Sequence, residues 1–201
     1  MTAFGIDTSM SVVSFAVVED DRVLACFNED VGRNLTDKIS QITKSLLEKS
    51  KKKISDIDRC GIVVGPGSFT GLRVGTAFAK GLFAGAKTKI APVSSLECIA
   101  RASGEKGNVC VLSDARNGEV FFAKFAISDE FVRLCDERRI SREEALEKID
   151  EGDKIIEEPF NLAQICGETL AKLALETQNL TAIEDVFPNY MQVSYAERCK
   201  K

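Results

Sequence analysis

Hydrophobic residues in the first hundred positions fall into short runs and helical repeats that polar turns separate. Three apolar runs rich in β-branched residues predict a meander of three strands, and the apolar positions that follow recur at the spacing of one helix face. A capping box at Ser94 marks the start of a later helix. The predicted elements are strands Ala3–Asp7, Val12–Val18 and Val23–Phe27, helix Leu35–Ser50, strand Cys60–Val64, helix Leu72–Ala86, strand Lys89–Pro92 and a helix that ends at Ala102.

The second half of the chain begins the same pattern again. Asp7 precedes Val13 by six positions, as Asp114 precedes Val120, and this match favours a duplication over two unrelated meanders that look alike. The order βββ-α-β-α-β-α predicts a duplicated ribonuclease-H-like (actin-like) α/β fold with a reduced second lobe. We expect residues 1–103 in the first lobe, 104–183 in the second, and 184–201 returning to the first. The elements predicted for the second half are strands Val109–Asp114, Glu119–Phe125 and Phe131–Cys135, a helix from Ser141 to Ile149, strand Lys154–Ile156 and helix Asn161–Glu176.

Composition narrows the chemistry more than it narrows the fold. The 201 residues include no histidine, which excludes Ser-His-Asp and Cys-His catalysis and histidine-ligated zinc. Seven cysteines without a C-x-x-C pair are most simply core residues of a reduced protein. The net charge of −4 argues against binding nucleic acid by bulk electrostatics alone. No signal-like segment precedes the first strand and no apolar run approaches a membrane span, so we expect a cytoplasmic protein without membrane contact.

The loop Gly65–Gly71 joins a buried strand to a helix N-terminus, where free N–H groups favour an anion; the alternative is a structural turn. In a duplicated actin-like fold each copy would also offer an acidic residue and a hairpin to the phosphates of a nucleotide in the cleft, here Asp7–Ser11 and Asp114–Gly118. The first hairpin has no glycine, which argues against ATP hydrolysis. An ATP-dependent phosphotransferase using Asp7 or Asp114 with magnesium remains the alternative. We predict no catalytic residue and no metal ligand, and the residues predicted to contact a nucleotide or anion are Asp7, Thr8, Ser9, Gly67, Ser68, Thr70 and Arg116.

The string G-P-G-S-F-T-G-L-R-V-G at 65–75 resembles the signature of the TsaB (YeaZ) family, the bacterial partner of TsaD in making threonylcarbamoyladenosine on tRNA. Further segments similar to family motifs extend the resemblance over nearly the whole chain. These segments are the opening at 5–9, V-S-S-L-E at 93–97, D-A-R-N-G-E-V at 114–120 and P-N-Y at 188–190.

The resemblance implies an actin-like protein that is not itself catalytic and that serves as scaffold and activator for TsaD, which carries the metal. It implies a homodimer when the partner is absent, a TsaE-type ATPase as a further component, and contact with tRNA only through the complex. No cofactor would be required by this chain, with ATP or ADP at the partner interface left open. The first two helices form the pairing surface in the family, and the residues predicted for it here are Leu35, Ile39, Leu72, Arg73, Thr76, Ala79 and Phe83.

The chain departs from the family pattern at two places, with Leu35-Thr36-Asp37 where H-S-E is common and Gln192 where an arginine often follows P-x-Y. Lys49 and Lys51–Lys53 form a basic cluster that is either a solvated turn or a minor contact with tRNA phosphates. A peptidase, a label given to relatives of TsaD, has no nucleophile–base pair here. A homodimer with no further partner remains open.

Overall fold

The structure is a computed structural model that describes residues 1–157 and 166–191. The first sheet has the strand order β3-β2-β1-β4-β5, in which β1, β2 and β3 form an antiparallel meander and β4 and β5 run parallel to β1. Every residue of β1 is buried, because helices cover both faces of the sheet. The strands are β1 (Thr2–Asp7), β2 (Val12–Glu19), β3 (Arg22–Asp30), β4 (Arg59–Gly65) and β5 (Lys89–Ser94).

Three helices cover the first sheet. Helices α1 (Leu35–Ser50) and α2 (Phe69–Leu82) pack on the face that carries Phe4 and Phe15. Helix α5 (Cys166–Glu176) packs on the opposite face and approaches so closely that a Cβ at Gly5 would lie 1.9 Å from a carbonyl oxygen of the helix. The Arg59 guanidinium donates to three carbonyls at the C-terminal end of α5, at 2.9 to 3.1 Å, where the helix dipole is negative.

The second sheet repeats the arrangement of the first. Its order is β10-β6-β7-β8, with β9 also paired to β7 and with β10 parallel to β6. Helix α3 (Ser95–Ala102) covers one face of this sheet and α4 (Arg142–Glu147) the other. Its strands are β6 (Gly107–Asp114), β7 (Glu119–Ile127), β8 (Phe131–Arg133), β9 (Arg138–Ser141) and β10 (Lys154–Glu157).

The two sheets share one topology, a three-stranded meander whose first strand pairs in parallel with a later strand of the chain, β4 in the first sheet and β10 in the second. The predicted duplicated ribonuclease-H-like fold with a smaller second lobe is therefore confirmed. Ser94 is the N-cap of α3, since its hydroxyl accepts the Leu96 and Glu97 N–H groups at 3.1 and 3.4 Å, whereas the Glu97 carboxylate pairs with Arg101 rather than completing the predicted capping box.

Some predicted element bounds differ from the structure. Helix α2 begins at Phe69 and ends at Leu82, three residues earlier and four residues earlier than predicted. Strand β9 was not predicted, because its four residues R-R-I-S carry one apolar side chain. The first five residues of the predicted helix 161–176 lie outside the described residues.

Helix α5 falls in the range predicted for the second lobe, yet it packs on the first sheet. The chain after it also contacts the first sheet, where Ile183 and Val186 join the core beside α1 and α2. The Lys80 ammonium donates to the Glu184 carbonyl at 3.0 Å. Among the described residues, no helix combines the length and the apolar character that crossing a membrane requires.

Candidate functional site

An open cleft of about 840 Å³ separates the two lobes at the ends of β1 and β6. The hairpin after each of these strands borders it, together with the loop 67–71 before α2 and the start of α1. The chain therefore brings together, at one cleft, the loop and the two hairpins that the sequence predicted as candidate anion or nucleotide contacts. The polar residues among its lining are Thr8, Ser9, Ser11, Asp30, Thr36, Ser68, Thr70, Ser113, Asp114 and Arg116.

The hairpin after β1 uses its polar groups to hold its own shape. The Ser9 N–H and hydroxyl both donate to Asp7 Oδ1, at 2.8 and 2.6 Å. Asp7 is 1% exposed, and this burial raises the pKa of its carboxyl, against hydrogen bonds from Ser9 and Cys166 that lower it. Such a carboxylate is a structural acceptor, and little of its charge reaches the cleft.

The loop before α2 is braced against that hairpin. The Thr8 hydroxyl donates to the Gly71 carbonyl at 2.8 Å, and the Ser68 N–H donates to the Ser9 carbonyl at 2.8 Å. A Cβ at Gly71 would lie 1.9 Å from the Thr8 carbonyl oxygen, and one at Gly75 would lie 2.1 Å from Thr8 Oγ1. Glycines at these two positions are therefore required by contact with the hairpin, which explains them without a bound phosphate.

The P-N-Y segment closes the other side of the same loop. The Asn189 N–H donates to the Val64 carbonyl at 2.6 Å, and the Asn189 carbonyl lies 2.4 Å from where a Cβ of Gly65 would stand. The Tyr190 ring packs on the Phe69 ring with centroids 4.6 Å apart. Three of the segments that carry the family resemblance, 5–9, 65–75 and 188–190, thus contact one another.

The hairpin after β6 keeps the local geometry of the first but is open to solvent. The Arg116 N–H donates to Asp114 Oδ1 at 2.8 Å, the same i to i+2 bond that joins Ser9 to Asp7. Both Asp114 and Arg116 are exposed, and Arg116 has a positive φ of 65°. This side of the cleft therefore presents a cation to solvent, whereas the first hairpin does not.

The residues predicted to contact a nucleotide or anion divide into two groups. Asp7, Thr8 and Ser9 are buried. The Thr8 hydroxyl donates to the Gly71 carbonyl and the Ser9 hydroxyl to Asp7, so these side chains are not free to bind a ligand. Ser68, Thr70 and Arg116 are exposed along the cleft, and Gly67 is half-buried beside them. The Ser68 hydroxyl accepts the Gly71 N–H at 3.2 Å as the N-cap of α2. Within 1–157 and 166–191, no group of three or more Cys, Asp or Glu could hold a metal ion.

Most of the residues predicted for the partner surface are buried within the first lobe. Leu35 is half-buried and Arg73 is exposed. The other five pack inside the first lobe, because α1 and α2 must bury one face each on the sheet. These five, each less than 5% exposed, are Ile39, Leu72, Thr76, Ala79 and Phe83.

The outward side of these two helices instead forms an apolar groove of about 490 Å³. Its floor combines Leu47 of α1 with Phe78 and Leu82 of α2, and Ile54 closes one end. Outside this lining, Gly81 of α2 is exposed, and a Cβ there would meet nothing within 4 Å. Apolar residues occur on every side of α2, and this pattern could have indicated a second apolar face. It could not have indicated which of the faces packs on the sheet.

Comparison with known proteins gives a consistent result. The model of the family described as TsaD, tRNA N6-adenosine threonylcarbamoyltransferase, matches residues 28–194. The chain is 35% identical over 128 residues to the "tRNA threonylcarbamoyladenosine biosynthesis protein TsaB" of Escherichia coli, covering 62% of this chain and 55% of that protein. It is 29% identical over 157 residues to the protein of that name from Bacillus subtilis, covering 77% and 68%. The matched region thus spans little more than half of the E. coli relative.

Solved structures support the fold. A Pseudomonas aeruginosa protein described as similar to peptidase YEAZ superposes with a TM-score of 0.81 at 21% identity, covering 95% of this chain and 99% of the other. A second structure, described as YeaZ from Pseudomonas aeruginosa, gives a TM-score of 0.80 at 20% identity, covering 94% and 99%. At these identities the likeness establishes a shared architecture over nearly the full described chain.

Proposed function

The chain belongs to the family of the TsaD model and, within it, to the TsaB (YeaZ) group, and on this premise we propose that it acts in making threonylcarbamoyladenosine on tRNA. Its role in this proposal is that of a non-catalytic scaffold and activator, working in the cytoplasm with a TsaD-type transferase. A TsaE-type ATPase completes the set of proteins, and tRNA is contacted only through the complex.

The observation that carries this proposal is the groove on the outward side of α1 and α2. Leu47, Phe78 and Leu82 remain partly exposed there, although the same helices bury their other faces in the first lobe. Ala77 and Gly81 are exposed on α2 outside the groove lining, and their small size allows another helix to approach closely. A partner that supplies a pair of helices would bury this groove as a bundle. In the absence of that partner, a second copy of the chain has access to the same face.

The polar groups of the hairpin after β1 bond to other groups of the first lobe, and this supports a role without catalysis. In an enzyme of this architecture that transfers phosphate, the hairpin groups and the acidic residue must reach the substrate. Here the Thr8 and Ser9 hydroxyls are bonded to Gly71 and Asp7, and Asp7 is buried. We accordingly favour the scaffold over the phosphotransferase alternative.

We propose that the chain itself requires no cofactor and that ATP or ADP, when present, binds at the partner interface. The groups placed for such contact are the Arg116 guanidinium and the Thr70 hydroxyl, which are exposed along the cleft. Equilibrium dialysis of ADP with the complex and with the lone chain tests this. Binding that requires the complex and weakens in Arg116→Ala is expected, and equal binding by the lone chain would contradict it.

Reconstitution tests the scaffold role directly. The transferase from the same source would be incubated with threonine, bicarbonate, ATP and tRNA, with and without this chain, and the tRNA read by nucleoside mass spectrometry. Complex formation would be followed by light scattering. Modification that depends on this chain, together with a one-to-one complex, is the expected result. The scaffold role would be excluded if adding this chain changed neither the amount of modified tRNA nor the mass of the transferase measured by light scattering.

A substitution on the groove separates docking from folding. Gly81→Leu should raise the stability of the lone chain by about 0.5–1 kcal/mol, because it replaces a helical glycine in open space. The same side chain stands where the partner helix must approach, so complex formation should weaken by about tenfold or more. Gln178→Leu is the control, since it adds the same side chain at an exposed position just after α5, which packs on the opposite face of the first sheet.

A further inference from the structure

Charge is distributed unevenly between helices α1 and α2, with the lysine turn that follows α1, and the rest of the chain. Residues 35–53, which are α1 and the lysine turn after it, and α2 together carry eight lysine or arginine residues against two acidic ones, Asp37 and Glu48. The whole chain has a net charge of −4. These two helices and the turn between them are therefore cationic in a chain whose remaining residues are acidic overall.

The cations concentrate at the groove itself. Its lining includes Lys44 and the turn Lys51–Lys53, with Glu48 as the one acidic residue among the lining residues described. Lys52 forms an ion pair with Glu19. The Lys44–Glu48 pair, at 3.9 Å with both side chains mostly exposed, neutralises little. Within the described part of the chain, no ion pair is formed by Lys51 or Lys53.

The wall of the groove also holds a polar group without a partner. The Thr43 side chain is 3% exposed and lines the groove, and its hydroxyl has no hydrogen-bond partner among the described residues. A buried hydroxyl in this state costs free energy until a partner supplies the missing bond. The groove thus combines an apolar floor, a cationic rim and an unpaired hydroxyl. These are the features expected of a surface that binds an amphipathic partner.

We propose that this groove takes an amphipathic helix whose polar edge is acidic, supplied by a different protein, and that its lysines disfavour pairing of two copies of this chain. This inference rests on the proposed function, of which it specifies the partner's chemistry. In a twofold dimer the same patch is used by both copies. Each copy brings four lysines and one acidic residue, Glu48, to the groove lining, so repulsion would weaken the self-dimer, whereas an acidic helix would be attracted.

The first arm of the test uses the lone chain and needs no partner. Sedimentation of the full chain should show self-association that tightens as salt rises from about 50 mM to about 500 mM, because salt screens the repulsion. The triple variant Lys44→Glu, Lys51→Glu, Lys53→Glu, mixed with the unmodified chain, should dimerise about tenfold more tightly than the unmodified chain alone. Self-association that weakens with salt, or a mixture no tighter than the unmodified chain, would overturn the inference.

The second arm uses the complex with the transferase. Its dissociation constant should rise with salt and should rise by about tenfold or more in the triple variant. The control, Lys106→Glu, Arg138→Glu, Lys148→Glu, makes the same charge change at exposed positions of the second lobe and should leave both arms unchanged. A complex insensitive to salt and to the triple variant would refute the acidic partner. Direct binding of tRNA to the lone chain that the triple variant abolishes would also refute it, in favour of RNA.

The two proposals fail in different ways. If no complex with the transferase forms under any condition, the scaffold role is wrong, and the lone-chain arm still decides whether the lysines oppose self-pairing. If the complex forms and the charge changes have no effect, the scaffold role stands and the acidic partner is wrong.

Discussion

The contact between Thr8 and helix α2 can be tested with one methyl group. Gly75→Ala places a Cβ 2.1 Å from Thr8 Oγ1, with the Thr8 Cβ and Cγ2 at 3.3 and 3.4 Å. Rotation of Thr8 about χ1 moves the hydroxyl away but breaks its bond to the Gly71 carbonyl. The added methyl must therefore either break this bond or push the hairpin away from the helix.

The expected cost follows from opposing contributions. Replacing a helical glycine by alanine gains about 1 kcal/mol of helix propensity. Overpacking a buried contact costs about 1–3 kcal/mol, and loss of the Thr8 hydrogen bond about 1 kcal/mol more. Gly75→Ala should therefore lower the free energy of unfolding by about 2 kcal/mol, which corresponds to a fall in Tm of about 5 °C for a chain of this size.

Thr8→Ala removes the clashing oxygen and should rescue the substitution. Alone it should cost about 1 kcal/mol for the lost hydrogen bond. The double variant should be no less stable than Thr8→Ala, which makes the coupling energy between the two sites about 2 kcal/mol. Urea unfolding followed by circular dichroism gives all four values. Effects that add to within about 0.5 kcal/mol would show that the contact is not what makes glycine necessary at 75.

Two other glycines of α2 serve as controls. Gly71→Ala should also destabilise the chain, but Thr8→Ala should not rescue it, because the clash at 1.9 Å is with the Thr8 backbone carbonyl. Gly81→Ala should stabilise the chain by about 0.5–1 kcal/mol, since nothing lies within 4 Å of its Cβ position. Rescue at 71, or destabilisation at 81, would refute the packing argument.

Three further predictions follow from other parts of the structure. Tyr190→Ala removes a ring stacked at 4.6 Å on Phe69 and should cost about 1 kcal/mol of stability in urea unfolding, whereas Tyr190→Phe should not. Burial raises the pKa of Asp7, so folding favours its protonated form and stability is lost as pH rises through the folded pKa. Asp7→Asn should therefore gain stability relative to the unmodified chain as pH rises above about 4, the ordinary pKa of an aspartate, and parallel pH profiles would contradict this. The exposed Cys26 thiol should react rapidly with a thiol reagent, whereas burial raises the pKa of Cys60, which should react only after unfolding.

Sequence patterns were sufficient for α1 and for every strand except β9, because apolar runs and helical spacing report directly on burial. They were less accurate for α2. This helix starts at Phe69 because Ser68 is its N-cap, and that position lies within the glycine-rich segment Gly65–Gly71 that was predicted to be a loop. The end at Leu82 precedes Gly85, which has a positive φ of 72°.

The side of each helix that faces outward could not be read from the sequence. Helix α2 carries apolar or small residues in every direction, so composition does not distinguish the sheet-facing Ala79 and Phe83 from the groove-facing Phe78 and Leu82. Only the position of the sheet settles this. The hydrogen bond between the Thr8 hydroxyl and the Gly71 carbonyl likewise joins residues 63 positions apart, and no local sequence pattern predicts such a contact.

The order in which the chain is synthesised makes the position of α5 consequential. The first sheet is complete at Ser94, but the helix that covers one of its faces ends at Glu176. At about 5–20 residues per second, the ribosome needs roughly 4–16 s to make the residues in between. During that interval the apolar side of the sheet around Ala16 and Val63 lacks its native cover. A nascent chain stalled before α5 should therefore engage a holdase chaperone, and one released after Tyr190 should not.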